Sequence, residues 1–131
     1  MPSKPTEPGS PQEWLARARS SLLLGKVAKT EEIYWEDLCY QLQQAVEKAL
    51  KAVLLHHGVA FPYVHDIARL ITLIQNAGIH FPDELYSAAN LTGYAVETRY
   101  PGISEEVTEE EYWQALSVAE KVLNWAEKLV G

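Results

Sequence analysis

The chain has 131 residues, a length that suits one domain and allows a hydrophobic core without disulfides or metals to support it. Its 47% apolar and 22% charged residues exclude an intrinsically disordered chain, and its net charge of -7 argues against strong binding to duplex DNA, which needs clustered lysines and arginines. No apolar run reaches the roughly 18 residues of a membrane span, and the N-terminus lacks the pattern of a signal peptide. We therefore predict a cytoplasmic protein without a membrane anchor.

The N-terminal residues predict a short tail followed by a capped helix. Residues 1–9 are rich in proline, serine and glycine and are predicted to be a disordered tail, ahead of one helical domain over residues 10–131. Ser10-Pro11-Gln12-Glu13 has the pattern of a capping box, with serine at the N-cap and proline at the first helical position. We expect this helix to run to about Leu24, to end at Gly25, and to bury Trp14, Ala18, Ser21 and Leu22.

The stretch from Tyr40 to Leu55 is helical by every local criterion, yet it is too apolar for a surface helix. We therefore predict that it is the central helix of an all-α domain, capped at its start by Thr30 and ended by Gly58. Its polar residues share one face, which is expected to meet solvent, a partner or a ligand: Tyr40, Gln44, Glu47, Lys48 and Lys51. The opposite stripe is expected to pack in the core: Leu38, Leu42, Ala45, Ala49 and Val53.

The remaining sequence predicts three more helices and no strand. Apolar residues at helical spacing indicate a helix over about residues 64–76, and Pro82-Asp83-Glu84 opens a fourth, with Leu85, Ala88, Ala89, Leu91 and Thr92 on its inner side. Thr108-Glu109-Glu110-Glu111 is a second capping box. The last helix is expected to bury either Trp113 or Tyr112. The fold class predicted is all-α, an up-and-down bundle of four to five helices.

The central helix also carries a family resemblance. Gln43-Gln44-Ala45-x-Glu47-Lys48-Ala49-x-Lys51-Ala52 resembles the central helix of the HEPN domain, a helical module. Further residues fall in that family's order: Trp14 and Ala18, His65-Asp66 with Leu70, Thr98-Arg99-Tyr100-Pro101, and Ala115, Ala119 and Trp125. The resemblance covers about residues 12–128. It implies a HEPN-like bundle, a nucleotidyltransferase as partner, and binding of nucleotide or RNA.

HEPN domains that cut RNA resemble one another in an arginine followed by a histidine after four to six residues. None of the four arginines, Arg17, Arg19, Arg69 and Arg99, has a histidine at that distance. Without a histidine near an arginine, the sequence offers no obvious base for the ribose 2′-hydroxyl and no neighbouring cation for the transition state. We therefore predict no catalytic residues and no ribonuclease activity. A ribonuclease toxin with a displaced site stays open as the alternative.

A metal site is not predicted either. His56 and His57 are adjacent on a helix and diverge by about 100°, so they cannot both point at one ion. His65 and Asp66 lie at the start of the third helix, where Asp66 can accept backbone amides and His65 can contact the neighbouring helix. We keep both as accessory site residues, and we predict no cofactor.

The candidate ligand site is a polar groove between the central helix and the loop around Arg99. Arg99 can hold a phosphate by a forked contact and Tyr100 can stack on a base, while Lys48, Lys51 and Gln44 lie on the facing helix. In the competing interpretation Arg99 pairs with Glu97 or Glu47, Tyr100 packs under its loop, and both lysines are solvated.

The number of aromatic residues predicts a homodimer. Tyr34, Trp35, Tyr112, Trp113 and Trp125 supply more aromatic area than a small bundle is expected to enclose, and a second copy can cover the excess. The function predicted is a non-catalytic, dimeric HEPN-like binding module that associates with a nucleotidyltransferase. A purely structural dimer is the other alternative.

Overall fold

The structure, a computed structural model, describes residues 9–61, 63, 65–95 and 106–131. These residues contain five helices and no strand: α1 (Pro11–Gly25), α2 (Trp35–His56), α3 (Ile67–Asn76), a 3₁₀ helix (Asp83–Ala95) and α4 (Glu109–Val130). The all-α prediction is confirmed. Except for Gly9, the predicted tail lies outside the described residues.

Helix α2 is the centre of the bundle, as its apolar composition predicts. It contacts all four other helices, and 13 of its 22 residues are buried. Its core stripe agrees with the prediction, since the following residues are buried: Leu38, Leu42, Ala45, Ala49 and Val53. Because every neighbour packs on α2, a polar residue of α2 is exposed only where two neighbours leave a gap.

Gly25 sets the close approach of α1 to α2. A Cβ atom at this position would lie 2.6 Å from Cδ2 of Leu42, so a larger residue would push the two helices apart. The carbonyl of Gly25 also accepts a hydrogen bond from the hydroxyl of Tyr112 at 2.7 Å, which brings α4 to the same point. Burial raises the pKa of Tyr112. Tyr112 is the buried member of the predicted pair, whereas Trp113 is 54% exposed.

Two helices end at glycines with positive φ. Gly58 has φ 71° and Gly78 has φ 83°, a conformation that side chains with a Cβ rarely adopt. At the first of these ends, Val59 N–H donates to the carbonyl of Leu54 and Gly58 N–H to that of Leu55, the pattern of a Schellman motif. The predicted end of α2 is therefore confirmed.

The predicted start of α2 is wrong. Thr30 lies in a turn, in which Ile33 N–H donates to its carbonyl at 3.1 Å and Glu32 N–H to its hydroxyl at 3.3 Å. The helix begins at Trp35, and its N-cap residue, Tyr34, makes no side-chain capping bond. The hydroxyl of Thr30 bonds within its own turn and therefore does not cap the helix. The second capping box, Thr108 with Glu111, forms as predicted.

The predicted fourth helix is a 3₁₀ helix. Its buried residues, Leu85, Ala88 and Leu91, follow one another at steps of three, which is the repeat at which 3₁₀ side chains align. Thr92 accepts the N–H of Ile67 through its hydroxyl at 3.1 Å and so joins this helix to the start of α3. Helix α3 starts at Ile67 instead of residue 64, because the Asp66 carboxylate caps it by accepting the N–H of Ala68 at 3.1 Å.

Candidate functional site

The polar residues of α2 form two groups that lie at different angles around the helix axis. The first, which we call the closed cluster, contains Gln43, Glu47 and Lys51 of α2 with His65. The second, which we call the open cluster, contains Gln44 and Lys48 of α2 with Arg17 and Ser21 of α1. Two residues of the candidate ligand site, Lys48 and Lys51, therefore fall in different clusters.

The closed cluster is organised around the carboxylate of Glu47, whose side chain is 4% exposed. Its Oε1 accepts a hydrogen bond from Nε2 of Gln43 at 3.0 Å and lies 2.9 Å from Nδ1 of His65. Its Oε2 accepts from Nζ of Lys51 at 2.9 Å. Both carboxylate oxygens thus have partners, as a buried charge requires.

Three aromatic rings lie near the ammonium group of Lys51, and one of them, Tyr63, is exposed. Its Nζ lies 5.6 Å from the ring centroid of Trp14, 5.3 Å from that of Phe61 and 6.0 Å from that of Tyr63. A cation at this distance from a ring is attracted to its face, most strongly where water is excluded. The side chain of Lys51 is 6% exposed. These ring contacts of Lys51 link α1, through Trp14, and the connection after α2, through Phe61, to the central helix.

The charge of Glu47 is stabilised inside the protein. Burial by itself raises the pKa of a carboxyl group, but the hydrogen bonds from Lys51, Gln43 and His65 and the charge of Lys51 outweigh it and lower the pKa of Glu47. At neutral pH this residue is an ionised partner of Lys51. It has no spare proton with which to act as a general acid.

The closed cluster corrects one sequence-based expectation. Glu47 and Lys51 were expected on a face that meets solvent, and the competing interpretation made Lys51 a solvated side chain, but both residues are buried. The reason is tertiary, since Trp14 and Phe61 pack over this part of α2. His65 contacts the neighbouring helix through Glu47, and Asp66 accepts a backbone amide, as expected for these two accessory residues.

The open cluster lies between α1 and α2. Nζ of Lys48 donates to the hydroxyl of Ser21 at 2.9 Å, and Ser21 is buried against α2. Gln44 stands one turn before Lys48 and donates its Nε2 to Oε1 of Gln43 at 2.7 Å, which links the two clusters. Lys48 makes no ion pair within the described residues.

The charge on Lys48 is less favourable than that of an ordinary surface lysine. Partial burial and then the nearby charge of Arg17 lower the pKa of Lys48, and the charge of Glu47 offsets only part of this effect. Among the described residues Arg17 pairs with Glu13, whose Oε2 lies 3.5 Å from its Nη2. An anion between Arg17 and Lys48 would relieve the repulsion between two cations.

Sequence reasoning identified Lys48 and Gln44 but not Arg17 and Ser21. Ser21 was predicted to be one of the buried residues of α1. A hydroxyl at a buried position needs a polar partner, and this was the signal available in the sequence. Arg17 gave no such signal, because only the packing of α1 on α2 brings it near Lys48. Arg99 and Tyr100 lie outside the described residues.

Two cavities of the described residues lie away from both clusters. They have volumes of about 340 Å³ and about 440 Å³ and adjoin one another between the 3₁₀ helix and α4. Their linings include Glu84, Glu110 and Glu111, with Lys121 as the basic residue, so this groove disfavours phosphate. No group of His, Cys, Asp and Glu in residues 9–61, 63, 65–95 and 106–131 is arranged to hold a metal ion. None of the helices there is long and apolar enough to cross a membrane.

Comparisons with known proteins agree with this architecture. The sequence model of the HEPN domain matches residues 11–129. The chain is similar to the crystal structure of ST0689, an archaeal HEPN homologue, with 25% identity and a TM-score of 0.73, over 93% of this chain and 98% of that one. No curated protein matches the sequence significantly.

Proposed function

This chain belongs to the HEPN domain family, and we propose that it is a non-catalytic binding module that forms a homodimer and associates with a nucleotidyltransferase. The observation that carries the proposal is an apolar patch where α1 ends and α2 begins. Four large side chains are exposed there: Leu23, Leu24, Val27 and Tyr34. We call this group the apolar patch.

The apolar patch has the features of a protein interface. Leu23 and Leu24 line a shallow cavity of about 390 Å³ with Ala16, Arg19 and Ser20. A soluble monomer rarely leaves such large apolar side chains grouped in one region, whereas a twofold interface buries the same patch on both copies. HEPN domains commonly dimerise. A second copy is therefore the first partner in this proposal.

The oligomeric state tests the proposal directly. Light scattering at micromolar concentration should give twice the monomer mass of 14.7 kDa, and a Leu23→Glu/Leu24→Glu variant should give the monomer mass, because two buried charges oppose association. Trp113→Glu is the matched control, since Trp113 is exposed on α4. A wild-type mass of 14.7 kDa that dilution does not change would reject the dimer. Loss of the dimer only in the Trp113 variant would move the interface to α4.

The nucleotidyltransferase partner is a separate element of the proposal. It is supported by the family resemblance and is tested by co-expression with an adjacent gene that encodes a Gly-Ser and paired-aspartate nucleotidyltransferase motif. The two chains should elute together in size exclusion, and separate elution would reject this partner. The cytoplasmic location remains a prediction.

We propose that the protein is not a ribonuclease because it lacks the arginine–histidine motif of the RNA-cleaving domains. No arginine of the chain precedes a histidine at the spacing of the RNA-cleaving domains. Incubation of the purified protein with total RNA should leave the RNA intact. Cleavage that is lost in Arg99→Ala would instead support the ribonuclease alternative with a displaced site.

A further inference from the structure

We propose that the groove between the 3₁₀ helix and α4 binds an arginine-containing segment of a partner protein, with Trp113 as the stacking surface and Glu84 and Glu110 as the carboxylates that pair with the guanidinium group. This inference goes beyond the proposed function, because none of the residues that line the groove belongs to the apolar patch. It assigns to the groove a partner other than a second copy of the chain.

The groove exists because small residues line both of its walls. The 3₁₀ helix contributes Ser87 and Gly93, and α4 contributes Ala115 and Ser117. A Cβ atom added at Gly93 would meet no atom within 4 Å, so the space beside it is open. In the larger cavity, of about 440 Å³, Val118 is the buried floor and the other lining residues are exposed. A polypeptide segment can therefore enter the groove from solvent.

Trp113 is the first argument for a partner. Its side chain is 54% exposed and lines the larger cavity. Its Nε1–H donates to Oε2 of Glu109 at 3.1 Å, and its ring meets that of Tyr112 edge to face, with 5.1 Å between the centroids. The indole is therefore held in place before a partner arrives, which lowers the entropy cost of binding to it. Tryptophan beside a concave surface is typical of the few residues that dominate a protein interface.

The charge of the groove indicates the chemistry of the partner. Helix α4 starts with three glutamates, of which Glu109 accepts from Trp113 and Glu111 completes the capping box. Glu110 makes no hydrogen bond or ion pair among the described residues, and neither does Glu84 of the 3₁₀ helix. Two helices thus bring two unpaired carboxylates to the cavity that Trp113 lines, and a cationic side chain complements them.

An arginine complements this arrangement better than a lysine does. A planar guanidinium group can stack on the indole while its N–H groups donate to carboxylates around the ring, whereas an ammonium group is a point charge without a flat face. Lys121 is the basic residue of the groove. It lies eight residues after Trp113, about 12 Å along the helix axis at 1.5 Å per residue, and so leaves the tryptophan end of the groove acidic.

The length of the groove suits a short extended segment. From Glu111 to Lys121, the outermost α4 residues that line both cavities after Glu110, the helix rises about 15 Å. An extended chain covers about 3.3 Å per residue, so about five residues fit along the groove. Peptides of six residues are therefore sufficient as probes.

Nuclear magnetic resonance of the ¹⁵N-labelled protein tests the groove at constant ionic strength. The first probe is a six-residue peptide in which arginine alternates with alanine, the second has lysine in place of arginine, and the third has citrulline, a neutral analogue of arginine. The indole N–H of Trp113 is one of four in the chain and is assigned with Trp113→Phe. This signal should shift with the arginine peptide and leave the other three indole signals in place. The lysine peptide should bind more weakly, and the citrulline peptide should cause no shift.

Variants of the groove should weaken the arginine peptide by different amounts, followed through the backbone amides of Gln114 and Ser117. Trp113→Ala should weaken it about ten-fold or more, since it removes the stacking surface. Glu84→Gln and Glu110→Gln should each weaken it about two- to five-fold, as expected for exposed ion pairs.

Matched controls separate the groove from the general negative charge of the protein. Tyr63→Ala removes an aromatic ring that is 98% exposed, and Glu31→Gln removes an exposed carboxylate, and neither residue lines the groove. Both variants should keep the affinity within about two-fold of the wild type. Equal losses in Glu31→Gln and Glu110→Gln, equal binding of the arginine and lysine peptides, or no shift at millimolar peptide would each overturn the proposal.

Light scattering separates this partner from a second copy of the chain. Trp113→Ala should keep the mass of the wild-type protein, and far-UV circular dichroism should show that it keeps the fold. A dimer that Trp113→Ala dissociates would give the groove to the second copy and overturn the proposal. A dimer that retains its mass but does not bind the arginine peptide would reject this partner and leave the proposed function standing.

Discussion

Lys48 and Lys51 lie three residues apart on one helix, and their environments are opposite. Lys51 lies against the rings of Trp14 and Phe61 and is paired with a buried carboxylate. Lys48 remains partly exposed, bonds to a hydroxyl and faces another cation. The same residue type thus stabilises the fold at one position and remains partly exposed at the other. The environment of each lysine depends on which residues pack against its side of α2.

A buried charge has a structural role when all its hydrogen-bonding partners lie inside the protein. Both oxygens of Glu47 and the ammonium group of Lys51 are satisfied inside the protein, so a ligand would have to displace strong contacts to use them. In the open cluster an anion would add contacts without breaking an ion pair of Lys48. We therefore expect substitutions to affect stability more in the closed cluster than in the open one.

The largest effect is expected when the closed cluster loses its carboxylate. Glu47→Gln leaves the ammonium group of Lys51 buried without a counter-charge and should lower the free energy of unfolding by about 3 to 5 kcal/mol. Urea denaturation followed by circular dichroism measures the change. The double variant Glu47→Leu/Lys51→Met removes both charges and should lose less stability than the single variant. A loss below about 1 kcal/mol for Glu47→Gln would contradict the structural role of the pair.

A smaller effect is expected where α1 contacts α2 next to the open cluster. Gly25→Ala places a methyl group 2.6 Å from Leu42 and should lower the free energy of unfolding by about 1 to 3 kcal/mol, because the core must shift to accept it. Gly93→Ala is the matched control, since nothing lies within 4 Å of its added Cβ. Equal stability of the two variants in thermal denaturation would show that α1 can move away from α2 without cost.

The pH dependence of stability should also distinguish the two clusters. The pKa of Glu47 is lowered in the folded protein, so its contribution is fully present above the ordinary carboxyl pKa of 4.5 and is lost as the pH falls through the lower, folded value. The wild-type protein should therefore lose stability below about pH 4.5 more steeply than Glu47→Gln does. Parallel pH profiles of the two proteins in urea denaturation would show that the ion pair makes no such contribution.

The smallest effect is expected at Lys48. Lys48→Gln removes a partly desolvated charge that Arg17 repels, so the free energy of unfolding should change by no more than about 0.5 kcal/mol. Lys51→Gln, measured beside it, should destabilise the protein far more, since it leaves the buried carboxylate of Glu47 without its lysine. Similar losses for the two lysine variants would remove the distinction between closed and open clusters.

The sequence by itself determined the elements whose causes are local. The serine and threonine caps of α1 and α4, the glycine that ends α2, and the apolar stripe of α2 all follow from residues close to one another in the chain. These features were enough to predict an all-α bundle with α2 at its centre, and the predicted HEPN relationship is confirmed by the match over residues 11–129.

Only the tertiary structure decided which polar residues of α2 are available. Periodicity places Gln44, Glu47, Lys48 and Lys51 on one face, but it cannot tell that Trp14 and Phe61 cover half of that face. Nor can it bring Arg17 and Ser21 of α1 beside Lys48, because that contact depends on how closely Gly25 allows the two helices to approach. Burial and like-charge repulsion arise between residues distant in sequence, and they separate the lysine that is buried in an ion pair from the lysine that stays partly exposed.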